Sequence, residues 1–240
     1  MAMNVNLLGR LSDRKLFLAA AIAFPLMVLI GYFRTYCGSV FFPDVPRVAN
    51  ALVHAHGIVM SLWVAYFVAQ VALIRSKNIK LHMTLGMAGV ALAAIVVIVG
   101  LLTAYDSQII RHSAPPGLDP HKFFIIPVGD MALFVLFFAG AIYYRKRPAE
   151  HKTLMLMTAV NFMPPALARM PFFPPETVIL YIFGLSSAIA IGCLIWHSRK
   201  HGKINKIFLA AVIIFITNLP LRLAFAESQI WLGFVGWLAG

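Results

Sequence analysis

Seven apolar runs divide the chain, at residues 16–33, 51–74, 81–105, 123–144, 153–168, 177–196 and 207–225, each bounded by short polar stretches. Crossing the hydrocarbon core of a bilayer takes roughly 20 apolar residues. A backbone inside lipid must satisfy its own hydrogen bonds, so runs of this length are helical. The pattern therefore predicts an all-α, polytopic membrane protein of seven transmembrane helices, one domain over residues 1–240 with no soluble insertion. The fifth run is the shortest and contains Pro164-Pro165, which is expected to kink or unwind its far end. Beyond Glu227 the apolar tail 230–238 either lies in the membrane interface or extends the last helix.

Composition sharpens this. Of the 240 residues, 61% are hydrophobic and 12% charged, about half the charged share of a soluble domain. A soluble enzyme, a disordered tail and a disulfide scaffold are excluded. The net charge of +12 would suggest nucleic acid in a soluble chain, but here the positions of the charges explain it. Arg10, Arg14 and Lys15 precede the first run, and Arg75, Lys77 and Lys80 join the second to the third. Arg145, Lys146, Arg147 and Lys152 join the fourth to the fifth, and Arg199, Lys200, Lys203 and Lys206 join the sixth to the seventh. That places 14 of the 20 basic residues on one side, opposed by Asp13 and Glu150 alone. The positive-inside rule then sets the N-terminus in the cytoplasm and the C-terminus outside, in a bacterial inner membrane. The partner implied is the lipid bilayer and not nucleic acid. The charged N-terminus runs into a full-length span without a small-residue cleavage site, so no cleavable signal is expected. Cys37 and Cys193 fall toward opposite faces, too far apart to pair.

Eight histidines are many for so apolar a chain. His54 and His56 open the second span and His121 the fourth, both on the outer side. His82 opens the third and His151 the fifth, both on the inner side. His112 reads as a loop residue, and His197 and His201, beside Ser198, Arg199, Lys200 and Lys203, as interfacial ones. Ionisable groups in membranes are costly and usually face the bundle interior. Imidazole is also a common axial ligand of haem iron. Two histidines from facing helices would make a six-coordinate centre suited to electron transfer, and two such centres would carry electrons across the membrane. His54 and His56 stand about 200° apart on a helix, so at most one faces a given centre; Trp63, seven residues on along the same face, favours His56. Gly86 and Gly89 follow His82 by four and seven residues, offering either a smooth face to a flat macrocycle or close helix packing.

Other polar residues gather toward the outer side. Arg169 follows His151 by 18 residues, five ideal turns, and so returns to the same face. Arg222 and Glu227 end the last span, Asp106 and Asp119 flank an outer loop, and Asp130, Asn161 and Asn218 lie within spans. A guanidinium is a planar fork for carboxylate-like acceptors, so these arginines bind a haem propionate or a quinone carbonyl, or else pair internally with Asp or Glu.

Three segments carry a resemblance: His54-Ala55-His56-Gly57, the H-x-x-L-G element of His82 to Gly86, and His151-Lys152-Thr153-Leu154-Met155 followed by Arg169. Together they look like an uncharacterised family of bacterial multi-span proteins with an H-x-x-L-G and an H-[RK]-x-x-M element. The core, residues 50–170, also resembles the cytochrome b561 architecture, a four-helix bundle holding two b haems. That resemblance implies a cofactor-binding core of helices two to five, with His56 and His121 on one haem b, His82 and His151 on the other, and Arg169 beside a propionate or substrate. It further implies an oxidoreductase role in transmembrane electron transfer, with a quinone or small reductant as partner. The chain departs from that family in having seven spans, not six, and in lacking a counterpart of its substrate motifs.

Two other functions fit the same residues. A zinc-dependent seven-span hydrolase, similar to ceramidases, would use His54, His56 and His121 with Asp119 or Asp106. A cofactor-free subunit or assembly factor of a respiratory complex would leave the histidines interfacial. A retinal pigment is excluded, because the last span has no mid-membrane lysine.

Overall fold

The computed structural model describes the backbone at residues 2–43, 50–170 and 178–240, with side chains from residue 14 onward except 178–180. Ten α-helices occur among these residues: α1 (Ala2–Tyr32), α2 (Ala51–Arg75), α3 (Ile79–Tyr105), α4 (Pro120–Phe123), α5 (Ile125–Tyr143), α6 (Pro148–Asn161), α7 (Met163–Leu167), α8 (Val178–His201), α9 (Lys206–Ala226) and α10 (Gln229–Ala239). Helix starts are marked by short polar side chains that accept the unpaired N–H groups of the first turn. Asn50 caps α2, Asn78 α3, Asp119 α4, Asn205 α9 and Ser228 α10. Single π-helical turns, Phe33–Cys37 and Asp106–Ile110, extend α1 and α3.

Six helical segments are long and apolar enough to cross a membrane: Arg14–Cys37, Ala51–Arg75, Ile79–Ile110, Pro120–Tyr143, Tyr181–His201 and Lys206–Ala226. The protein is thus an all-α, multi-pass membrane protein. Its long helices close a ring in the order α1, α2, α3, α5, α9, α8 and back to α1. The fifth run of the sequence forms no continuous span; it becomes α6 and α7 and runs through the middle of the ring, against α5, α9, α8 and α1. Helix α6 rises about 21 Å, short of the roughly 30 Å of hydrocarbon. It stops at Phe162, whose N–H turns back to the Ala159 carbonyl at 3.1 Å. Pro164 and Pro165 have no N–H for the carbonyls of Val160 and Asn161, so the regular ladder cannot continue.

Thr153, Leu154 and every residue from Leu156 to Met163 are buried. The core around them also draws Ala21 and Phe24 from α1, Ile182 and Ala190 from α8, and Phe208, Ala211, Val212 and Phe215 from α9. The packed centre therefore extends beyond residues 50–170. Two polar side chains on α6 are silenced by their own helix: Thr153 and Thr158 donate to carbonyls three or four residues back.

Helices α1 and α7 meet at Gly31, where an added Cβ would lie on the backbone carbonyl of Ala166. Small residues permit this approach in membrane bundles. Gly31→Ala is expected to lower the thermal midpoint in detergent, at a cost of about 1–3 kcal/mol for overpacking. At Gly192, where nothing lies within 4 Å of an added Cβ, the same change should be neutral or raise the midpoint by up to about 1 kcal/mol.

The tail does not continue α9. It turns at Glu227–Ser228 and folds α10 back over one end of the bundle, burying Trp231 and Val235 with Phe124, Ile125, Ile109 and Ala104. Trp231 Nε1 donates to the His121 carbonyl at 3.1 Å and the Tyr105 hydroxyl to the Leu238 carbonyl at 3.2 Å. An ion pair between Lys122 and Glu227 ties the turn to α4.

Candidate functional site

His82 and His151 occupy the same place in their helices, the fourth residue of α3 and of α6, at the end of the bundle that carries the basic loops. Each backbone N–H makes a first helical bond, His82 to the Asn78 carbonyl at 3.1 Å and His151 to the Arg147 carbonyl at 3.0 Å. The helix between them, α5, packs on both and ends nearby. At that end the Arg145 N–H turns to the Ile142 carbonyl at 3.2 Å, leaving the Ala141 carbonyl without its regular donor. The His151 imidazole supplies one: Nδ1–H donates to the Ala141 carbonyl at 2.8 Å. The proton is thereby held on Nδ1 and the lone pair on Nε2, as in histidines that ligate metals.

The His82 and His151 rings lie edge to face, with centroids 6.5 Å apart and planes 78° apart. His82 Nδ1 is buried and has no partner among the described residues. An ion held about 2 Å from each of two imidazole nitrogens would set the ring centroids about 6 Å apart, close to the spacing found. Gly86 lies one turn beyond His82, and a Cβ there would meet nothing within 4 Å, so this face of α3 is smooth and open. Gly89 serves packing instead. Tyr66 of α2 lies across it, its hydroxyl donating to the Leu85 carbonyl at 3.3 Å.

At the opposite end the histidines are sorted differently. His56 Nδ1 is buried without a partner among the described residues, and its charged neighbour is Arg169. The Arg169 guanidinium lies 4.6 Å over the Tyr32 ring and donates to the Pro165 carbonyl at 2.7 Å. His54 bonds the Tyr36 hydroxyl through Nδ1 at 3.0 Å. His121 sits beside His112, centroids 5.6 Å apart, with Nε2 buried and unpartnered among the described residues. The structure therefore brings His82 to His151, sets Arg169 within electrostatic range of His56, and does not put the rings of His56 and His121 in contact.

The carboxylates near this end have other duties. Asp106 accepts from Asn50 at 2.7 Å and from Arg111 at 2.8 Å, and Asp119 caps α4. Asp130 pairs with Arg222 at 2.8 Å within the bundle. Among the described residues no three of His, Cys, Asp and Glu gather where they could hold a metal ion. Cys37 and Cys193 are free thiols.

The two-nitrogen set at His82 and His151 suits haem iron, whose four equatorial ligands come with the macrocycle. Zinc ordinarily takes at least three protein ligands. Three features had no signal in the sequence: the Ala141 carbonyl behind His151, the His112–His121 contact, and the fold-back of α10. Tyr32 and Tyr36 were readable only as the end of a span. Compared with known proteins, the chain matches no family model, no curated protein and no solved structure.

Proposed function

We propose that this protein is a membrane electron carrier in which His82 and His151 ligate a b-type haem at the cytoplasmic end of the bundle. The observation that supports it is the neighbouring His82 and His151 imidazoles, 6.5 Å between centroids, with His151 oriented by the Ala141 carbonyl. Bound there, the group would supply one-electron redox chemistry, with a quinone or a small reductant as its partner. The chain's residues supply the rest of the site. The Ala141 carbonyl holds the proton on Nδ1 of His151, α5 keeps α3 and α6 apart, and Gly86 leaves a face free of side chains. At the outer end the Arg169 guanidinium beside His56 offers donors to a propionate or a quinone carbonyl. The His82 and His151 rings lie together and support one centre; His56 and His121 would need to close on one another to form a second.

The test is the reduced-minus-oxidised visible spectrum of the chain purified from cells amply supplied with haem. A Soret band with sharp α and β bands on reduction is expected. His82→Ala and His151→Ala should each remove that signal completely, whereas His121→Ala should leave it. A colourless wild-type protein overturns the proposal, and if it is also metal-free it favours a cofactor-free subunit or assembly factor. Stoichiometric zinc in a colourless preparation would favour a hydrolase.

A further inference from the structure

A second polar site lies inside the opposite half of the bundle, between α5, the end of α6 and α9. Arg222 of α9 is 7% exposed and lies flat across Gly129, where a Cβ would enter its side chain. Its Nη1 donates to the Ile126 carbonyl at 2.5 Å and to the Asp130 carboxylate at 2.8 Å, which leaves Nε–H buried with no partner among the described residues. Asn161, 1% exposed, donates through Nδ2 to the Asp130 carbonyl at 2.8 Å. That bond fixes the amide's orientation and leaves Oδ1 buried and unpartnered. Asn218, one turn before Arg222 on α9, has its Oδ1 in the same condition.

One donor on the ion pair and the Asn161 amide oxygen beside it are thus unpaired, with the Asn218 oxygen one helical turn away, and buried polar atoms are almost always satisfied by protein or by ordered water. The backbone is irregular at the same place. Helix α6 breaks at Phe162, and Pro220 in α9 offers no N–H to the Ile216 carbonyl. In membrane proteins broken backbone is tolerated where it is packed in protein or lines a hydrated cavity, and polar interior residues mark the paths of polar solutes.

We propose that Asp130, Asn161, Asn218 and Arg222 enclose an internal hydrated site, connected to solvent at the α9–α10 end of the bundle. Water there accepts from Arg222 Nε and donates to the amide oxygens of Asn161 and Asn218. Arg222 lies four residues, about 6 Å along the axis, below the end of α9, and Asn218 eight residues, about 12 Å, so the connection is a water-filled vestibule wide enough for a small charged reagent. The site does not depend on haem.

The test is thiol accessibility in lipid nanodiscs, in a chain carrying Cys37→Ser and Cys193→Ala. Asn218→Cys is compared with Leu221→Cys, a position 66% exposed on the outer surface of α9 and nearer its end. A charged, membrane-impermeant methanethiosulfonate should modify Asn218→Cys roughly tenfold faster or more, because the reaction needs a solvated thiolate. Equal or slower modification overturns the proposal. If Asn218→Cys does not fold, a structure of the unaltered chain at a resolution that shows ordered water decides it. Compact density within hydrogen-bond reach of Arg222 Nε and Asn161 Oδ1 supports the site. Empty space there, or the elongated density of an amphiphile, overturns it.

Discussion

Arg222→Leu is expected to destabilise the folded protein by about 3–5 kcal/mol, the cost of leaving a buried charge without its partner. The substitution strands the Asp130 carboxylate inside the bundle, where Arg222 is its charged partner, and frees the Ile126 carbonyl as well. Asp130→Leu should cost a similar amount, since it leaves the guanidinium without its charged partner. The informative variant is the double one. Replacing a buried ion pair by apolar side chains is often neutral or stabilising, so Asp130→Leu with Arg222→Leu should recover most of either loss. Thermal midpoints of the four proteins in one detergent complete the cycle. If the single losses simply add, the two side chains do not act as a pair.

Trp63→Ala is expected to cost a comparable 3–5 kcal/mol through the cavity it opens. Trp63 is fully buried, stacks on Tyr66 with centroids 5.7 Å apart, and meets Phe134 edge-on at 4.9 Å. Phe134 in turn packs on Phe162 at 4.9 Å, the residue at which α6 breaks. The ring therefore joins α2 to the centre of the bundle through α5. Its indole N–H has no partner among the described residues, so Trp63→Phe removes no hydrogen bond and should retain most of the stability. A Phe variant as unstable as the Ala variant would show that the site needs the full indole and not an aromatic ring alone; the two thermal midpoints decide.

How far these features could be read from the sequence depends on what encodes them. Spans and caps are local: apolar runs fix the long helices, and Asn50, Asn78, Asn205, Asp119 and Ser228 stand where helices begin. The break after Asn161 is local too, because Pro164-Pro165 forbids two consecutive ladder bonds. The His82–His151 pair was legible because both residues open helices at the same end, and both α3 and α6 pack on α5. The neighbour of His56 was not legible. These helices are apolar nearly all round, so periodicity does not say which face meets which helix. Ring order decides it: α2 sits between α1 and α3, and α7 at the end of the central element packs on α1, which brings Arg169 toward His56. His121 is held instead on α4, under α10. The Asp130–Arg222 pair joins residues 92 positions apart in the chain, and the sequence offered a pairing for Arg222 without naming its partner.

The central position of α6 has a consequence for biosynthesis. It leaves the ribosome before α8 and α9, the two staves that later enclose its remaining sides. Until those arrive, the sides of α6 that pack on α8 and α9 face lipid or the insertion machinery, so the nascent barrel stays open along one seam. Closure is a late event in which the last quarter of the chain shuts around a rod already in place.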